Sequence, residues 1–174
     1  MNKALLFLSI LFFGIWNAQQ IQWMTMNDAL KAQKNQPKKI FMNVYAPWCG
    51  ICKQMDKTVF THPEVVQYIN THYYPVKFNG EGKENIHYKG RDFHASNQKN
   101  TKFHEFFLYL GLNGFPSTVF FDAHGNVLTA FTGAMETKEL MPYLQFFSTD
   151  EYKKIKTAED WEKYQKKLQL KTLK

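Results

Sequence analysis

The chain has 174 residues, 44% of them hydrophobic and 17% aromatic, which is enough apolar material for one well-packed domain. Its formal charge is +7, from 22 Lys plus Arg against 15 Asp plus Glu. The lysines are scattered, the densest cluster (Lys153 to Lys167) is broken by acids, and no nucleic-acid-reading motif is present, so the charge reads as a solvated surface rather than a nucleic-acid footprint.

The N-terminal stretch MNKALLFLSILFFGIWNAQQ has the three parts of a secretory signal: Lys3 as a positive start, an uncharged apolar run from Ala4 to Trp16, and a polar end at Asn17 to Gln20. The run is short for a transmembrane helix, which needs about 20 apolar residues. A cut after Ala18 would put the large Trp16 where a small residue is preferred, so cleavage is expected in the region 18–20, and an uncleaved anchor is the competing reading. Residues 1–20 are therefore read as a signal peptide and the protein as exported.

Ile21 to Met24 reads as a short strand. Thr25, with Asp28 three residues on, resembles a capping box and opens a helix from Met26 to Gln36, which Pro37 ends. Lys39 to Tyr45 (KIFMNVY) reads as a buried strand, broken by Pro47. A helix begins at Cys49 and runs to Lys57, and a second short helical piece begins near Pro63. Tyr73 to Asn79 (YYPVKFN) is another strand. The polar, glycine-containing stretch 80–100 reads as a long loop, followed by a helix over Thr101 to Leu110 with Phe103, Phe106, Phe107 and Leu110 on one side. Ser117 to Asp122, a turn at 123–126 and Val127 to Phe131 read as a β-hairpin, and Glu136 to Phe147 as the closing helix. The order β-α-β-α-β-α-β-β-α predicts an α/β domain over 21–147, with a mixed central sheet flanked by helices. The charged segment 148–174 carries Tyr152, Ile155, Trp161, Tyr164 and Leu168, with Thr157 as a cap, and is expected to be a C-terminal helical extension docked on the domain; a partner-binding helix is the alternative.

Cys49 and Cys52 are the only cysteines, within YAPWCGICKQM. The predicted elements put Cys49 where a strand hands over to a helix, and a helix N-terminus stabilises the reactive thiolate. Cys49 is thus the expected nucleophile, and Cys52, one turn on and less exposed, the resolving thiol. Trp48 flanks the pair as a docking aromatic. A structural staple is a weak explanation, because so small a ring removes little chain entropy. A structural zinc site needs four ligands, and His62, His72, His87, His94, His104 and His124 form no pair at helical metal spacing, so no metal site is assigned.

These residues also resemble a known family. WCGICK (Trp48 to Lys53) after IFMNVYAP is similar to the thioredoxin active-site segment, and GFPSTVFFD (Gly114 to Asp122) resembles the second thioredoxin signature. The resemblance covers Ile21 to Phe147 and implies a thioredoxin fold. It gives Pro116 a cis-proline role, with the Phe115 backbone able to pair with a bound peptide as an added strand. An exported chain of this kind looks most like the thioredoxin-related proteins of bacterial envelopes, which implies a periplasmic location. Two departures tune the expectation. Gly50-Ile51 stands where thioredoxin has Gly-Pro and strong oxidants have Pro-His. Asn43 stands six residues ahead of Cys49, where thioredoxin carries a buried aspartate, while Lys77 matches the lysine beside it. Asn cannot take a proton from the resolving thiol at neutral pH.

The function expected is a cofactor-free thiol–disulfide oxidoreductase of the cell envelope. It would act on disulfide-containing proteins or peptides, favour reduction, and draw on a redox partner such as a membrane electron donor; a monomer is expected. The alternatives are a non-catalytic peptide-binding module around Trp48, Tyr45 and Phe115, and a protein using the two thiols for a soft ion such as Cu(I).

Overall fold

The computed structural model of the protein describes residues 20–96 and 101–172. Residues 1–19 of the expected signal segment and residues 97–100 of the expected loop lie outside them. In chain order the elements are α1 (Met26–Asn35), β1 (Lys39–Tyr45), α2 (Gly50–Thr58), α3 (Pro63–His72), β2 (Tyr73–Asn79), β3 (Ile86–Tyr88), β4 (Arg91–Phe93), α4 (Glu105–Tyr109), β5 (Ser117–Phe121), β6 (Val127–Thr132), α5 (Thr137–Ser148), a short 3-10 turn (Glu151–Lys154) and α6 (Ala158–Thr172).

The central sheet has the order β2-β1-β5-β6. β1 and β2 are parallel, while β5 runs antiparallel to both β1 and β6. This is the mixed sheet expected from helix-linked early strands and a late hairpin. Side chains alternate across β1. Ile40, Met42 and Val44 join a core with Met26 and Ala29 of α1 and Phe106 and Phe107 of α4. Phe41 joins a second core with Met55 of α2, Val65 and Ile69 of α3, and Leu140 and Leu144 of α5. Because helices cover both faces, the strand is buried on both, which is why it reads as an apolar run.

Four local expectations are corrected. The strand expected at Ile21–Met24 reduces to a single parallel bridge from Met24 to Val76. Thr25 does cap α1, its hydroxyl accepting from the Asp28 N–H at 3.1 Å, but it returns its own proton to the Asp28 carboxylate at 2.7 Å, so the reciprocal backbone contact of a capping box is not made. The 80–100 stretch is not all loop: it contains the β3–β4 hairpin, whose Ile86, Tyr88 and Phe93 are buried against α1, α4 and the sheet. Finally, the helix expected from Thr101 begins only at Glu105, because His104 acts as its cap.

Past α5 the chain folds back. Trp161 lies 5.2 Å from Tyr143 and 4.8 Å from Phe146 between ring centroids, and Tyr164 lies 4.9 Å from Phe146. The Lys39 ammonium, on the first residue of β1, donates to the Thr149 carbonyl and pairs with Asp150 at 3.2 Å. Thr157 and Asp160 cap α6 reciprocally, at 3.1 and 3.0 Å. The side chain of Leu168 lies outside the described residues. Among the described residues no helix is long and apolar enough to cross a membrane.

Candidate functional site

β1 ends at Tyr45, and Cys49 is the N-cap of α2. Its backbone is extended, while its sulfur accepts the Cys52 N–H at 3.1 Å. This is one of the donors that a helix leaves unpaired in its first turn. The two sulfurs are joined as a disulfide, 2.04 Å apart. Cys49 is 4% and Cys52 3% exposed, so the expected difference in exposure is not there; what separates the two is position on the helix, Sγ of Cys49 alone taking the first-turn N–H.

The pair sits in a small cluster with Ala46, against which Tyr45 and Phe115 pack. The Phe115–Pro116 peptide bond is cis. The Phe115 ring is wedged among aromatics, 5.0 Å from Phe107 and 5.9 Å from both Phe103 and Trp48. Gly80 makes this possible: a Cβ there would lie 2.5 Å from the Phe115 ring and 2.8 Å from that of Phe107. Around the disulfide Trp48 is 66% and Ile51 51% exposed, large apolar surfaces left to solvent at the site itself. Gly50 opens α2 with no heavy atom near its missing side chain.

The Trp48 indole N–H donates to the Glu81 carboxylate at 2.8 Å, and the Glu81 N–H donates to Asn79 Oδ1 at 3.0 Å. Sequence reasoning did not find Glu81, because nothing local links it to a tryptophan more than thirty residues earlier.

Beneath the site, Asn43 is buried, and the register sets it between Lys77 on β2 and Thr118 on β5. Among the described residues, Asn43 Oδ1 and Thr118 Oγ1 have no hydrogen-bond partner. Lys77 does not turn to Asn43. Its ammonium donates to the Asp56 carboxylate at 2.8 Å and lies over the Tyr45 ring at 5.2 Å. Asp56 is four residues beyond Cys52 on α2, one turn along the same face. The sequence alone did not place this carboxylate, because its partner Lys77 lies on another element.

Three of the histidines are engaged away from the site. His87 Nδ1 is 2.6 Å from Asp92, and His94 Nδ1 is 2.8 Å from Asn85. His104 is fully buried: Nε2 donates to the Glu84 carbonyl at 2.7 Å and Nδ1 accepts the Phe106 N–H at 3.0 Å, which requires the neutral ring. Burial also lowers its pKa, the Glu84 contact opposing. Among the described residues no three His, Cys, Asp or Glu side chains are grouped to hold a metal ion.

A family profile described as a thioredoxin-like domain matches residues 26–148. The chain belongs to the thioredoxin-like family. Within that family it is similar to the thiol:disulfide interchange protein DsbD of Haemophilus ducreyi, 29% identical over 111 residues, covering 63% of this chain and 16% of that protein. The DsbD of Yersinia pestis is 28% identical over 131 residues, covering 74% of this chain and 19% of its own length. The chain thus spans less than a fifth of either relative. Among solved structures, a thioredoxin from Thermus thermophilus superposes with a TM-score of 0.58 at 14% identity, covering 75% of this chain and 89% of that one. A putative disulphide-isomerase from Bacteroides thetaiotaomicron does so at 0.54 and 24%, covering 74% and 93%. At such identities these structures establish the thioredoxin fold.

Proposed function

We propose that the protein is a thiol–disulfide oxidoreductase of the cell envelope, working in the direction of reduction. The observation that carries this is Cys49 Sγ at the N-cap of α2, taking the Cys52 N–H, beside the cis Phe115–Pro116 turn. In the reduced protein the same N–H and the helix dipole would favour a Cys49 thiolate. The thiolate attacks a substrate disulfide, forms a mixed disulfide and expels one substrate thiolate, which takes up a proton. Cys52, losing its proton, attacks Cys49 Sγ and expels the second. Two electrons pass to the substrate, and the protein is left with the Cys49–Cys52 disulfide seen in the structure.

Each neighbour has a part in this reading. Trp48 and Ile51 give an incoming segment apolar cover, and the Phe115 backbone beside Pro116 offers it strand-like hydrogen bonds. Asp56, held by Lys77, takes the Cys52 proton that Asn43 cannot. Gly50-Ile51 supplies no histidine to hold the first thiolate, which is the reason for favouring reduction over oxidation.

The apolar N-terminal run supports export with removal of the leader. The name borne by the DsbD relatives, thiol:disulfide interchange protein, supports a redox partner that exchanges thiols and disulfides, and in this reading a dithiol at the membrane restores the reduced pair. Equilibration with glutathione tests the direction. A reduction potential near −270 mV, about that of thioredoxin, fits a reductase, whereas one near −120 mV would make it an oxidase.

A further inference from the structure

A cleft of about 290 Å³ opens beside the disulfide, between α2 and the corner where β6 gives way to α5. Ile51, Gln54, Met55, Thr58 and Val59 line it from the α2 side, and Met135, Glu136 and Glu139 from the other. Two of its borders belong to the exchange surface. Ile51 lies between the two cysteines in sequence and is half exposed. On the far side, the Gly133 N–H donates to the Pro116 carbonyl at 2.9 Å, so Ala134 and Met135 follow a residue hydrogen-bonded to the cis-proline turn. A segment crossing the disulfide therefore meets this cleft on leaving it.

The lining is mixed, with Gln54 and Thr58 among the apolar residues and the two glutamates beside them. Its two ionisable groups are both carboxylates, in a chain whose net charge is +7. Glu136 and Glu139 cap α5 reciprocally, Glu139 Oε2 accepting the Glu136 N–H at 2.8 Å. That arrangement uses only part of their acceptor capacity and fixes both carboxylates in place. Lys138 pairs with Glu136 at 2.9 Å, but both side chains are more than two-thirds exposed, so an incoming cation can displace it at little cost. The cavity holds one long side chain and is too small for a length of peptide.

We propose that this cleft receives a lysine or arginine of the disulfide-bearing substrate, its aliphatic stem on Met55, Val59 and Met135 and its charged head on Glu136 and Glu139. Long basic side chains suit such a site because they bury their stems while the head stays polar. The inference rests on the exchange reading and narrows it, naming the substrate class as segments with a basic residue near the reactive half-cystine.

Synthetic disulfide peptides test it, with Lys, Gln or Glu placed in turn at each of the three residues on either side of the half-cystine. The readout is kcat/KM with wild-type protein and with Glu136→Gln/Glu139→Gln, since glutamine retains the capping acceptors. At one position at least, wild type should prefer Lys over Gln by about tenfold, a difference of about 1.4 kcal/mol, with Glu the poorest. The preference should vanish in the double variant and shrink in wild type at 0.5 M salt. Equal rates for Lys, Gln and Glu at every position would overturn the proposal, as would a lysine preference that survives in the double variant or is indifferent to salt. If wild type reduces none of the peptides, the exchange reading itself fails; peptides reduced without charge preference leave that reading standing and remove only this one.

Discussion

Lys77 and Asp56 form an ion pair of 2.8 Å that joins β2 to α2 one turn beyond Cys52, and Lys77 sits in register with a buried Asn43 whose side-chain oxygen has no partner among the described residues. The lysine that the resemblance sets beside a strand aspartate thus pairs with a helix aspartate. The Asp56 side chain is about a third exposed.

If Asp56 takes the Cys52 proton, Asp56→Asn should slow release of the mixed disulfide near neutral pH while leaving the first attack by Cys49 little changed. General-base assistance contributes about 10²–10⁴-fold, and a partly exposed carboxylate belongs at or below the low end, so a loss of about 10- to 100-fold is expected. Restoring an acid on the strand, Asn43→Asp, should speed exchange. Single-turnover kinetics of the two steps measure both; an unchanged release rate in both variants contradicts the assignment.

Gly80→Ala tests the aromatic wedge. A Cβ there would press on the Phe115 and Phe107 rings, and overpacking of this kind costs about 1–3 kcal/mol. The folded variant should lose activity on peptide disulfides through the displaced Phe115–Pro116 turn, while the alkylation of Cys49 keeps its wild-type pH dependence. Unaltered peptide kinetics would show that this turn does not bind substrate.

His104 gives the fold a pH dependence. Burial lowers its pKa below the ordinary 6.5, the contact with the Glu84 carbonyl opposing, so the unfolded chain binds this proton more readily than the folded one. Its contribution is therefore complete above about pH 6.5 and is lost as the pH falls toward the depressed value. Burial raises the carboxyl of Glu84, which works in the opposite sense at more acidic pH. Urea midpoints at pH 7.5 and 5.5 should fall more steeply for wild type than for His104→Asn.

Trp161→Ala tests the docking of the C-terminal extension. Full truncation of a buried aromatic costs about 3–5 kcal/mol, and Trp161, half-buried on Tyr143 and Phe146, should cost about 1–3 kcal/mol. Thermal melting measures it, and an unchanged midpoint would mean that the extension does not stabilise the domain.

The strands β1 and β2 are legible residue for residue, because burial on both sheet faces turns them into apolar runs bounded by Pro47 and Gly80. The Cys49 position is equally plain, since a short strand-to-helix turn leaves it no other place. The β3–β4 hairpin escapes because only Ile86, Tyr88 and Phe93 are buried there, too few to mark a period within a polar stretch. The start of α4 escapes because the capping group is a histidine ring that must be buried to act. Asp56, Glu81 and the acidic cleft beside Ile51 depend on elements that meet only in the folded chain, and singly each looks like a solvated charge.

The central claim is that Cys49, at the N-cap of α2, is the thiolate nucleophile. Alkylation of the reduced protein against pH, with Cys52→Ser to isolate Cys49, tests it most directly. The account predicts a midpoint well below the free-thiol value of about 8.5. A midpoint at or above that value, or faster alkylation of Cys52 in the Cys49→Ser protein, would contradict it.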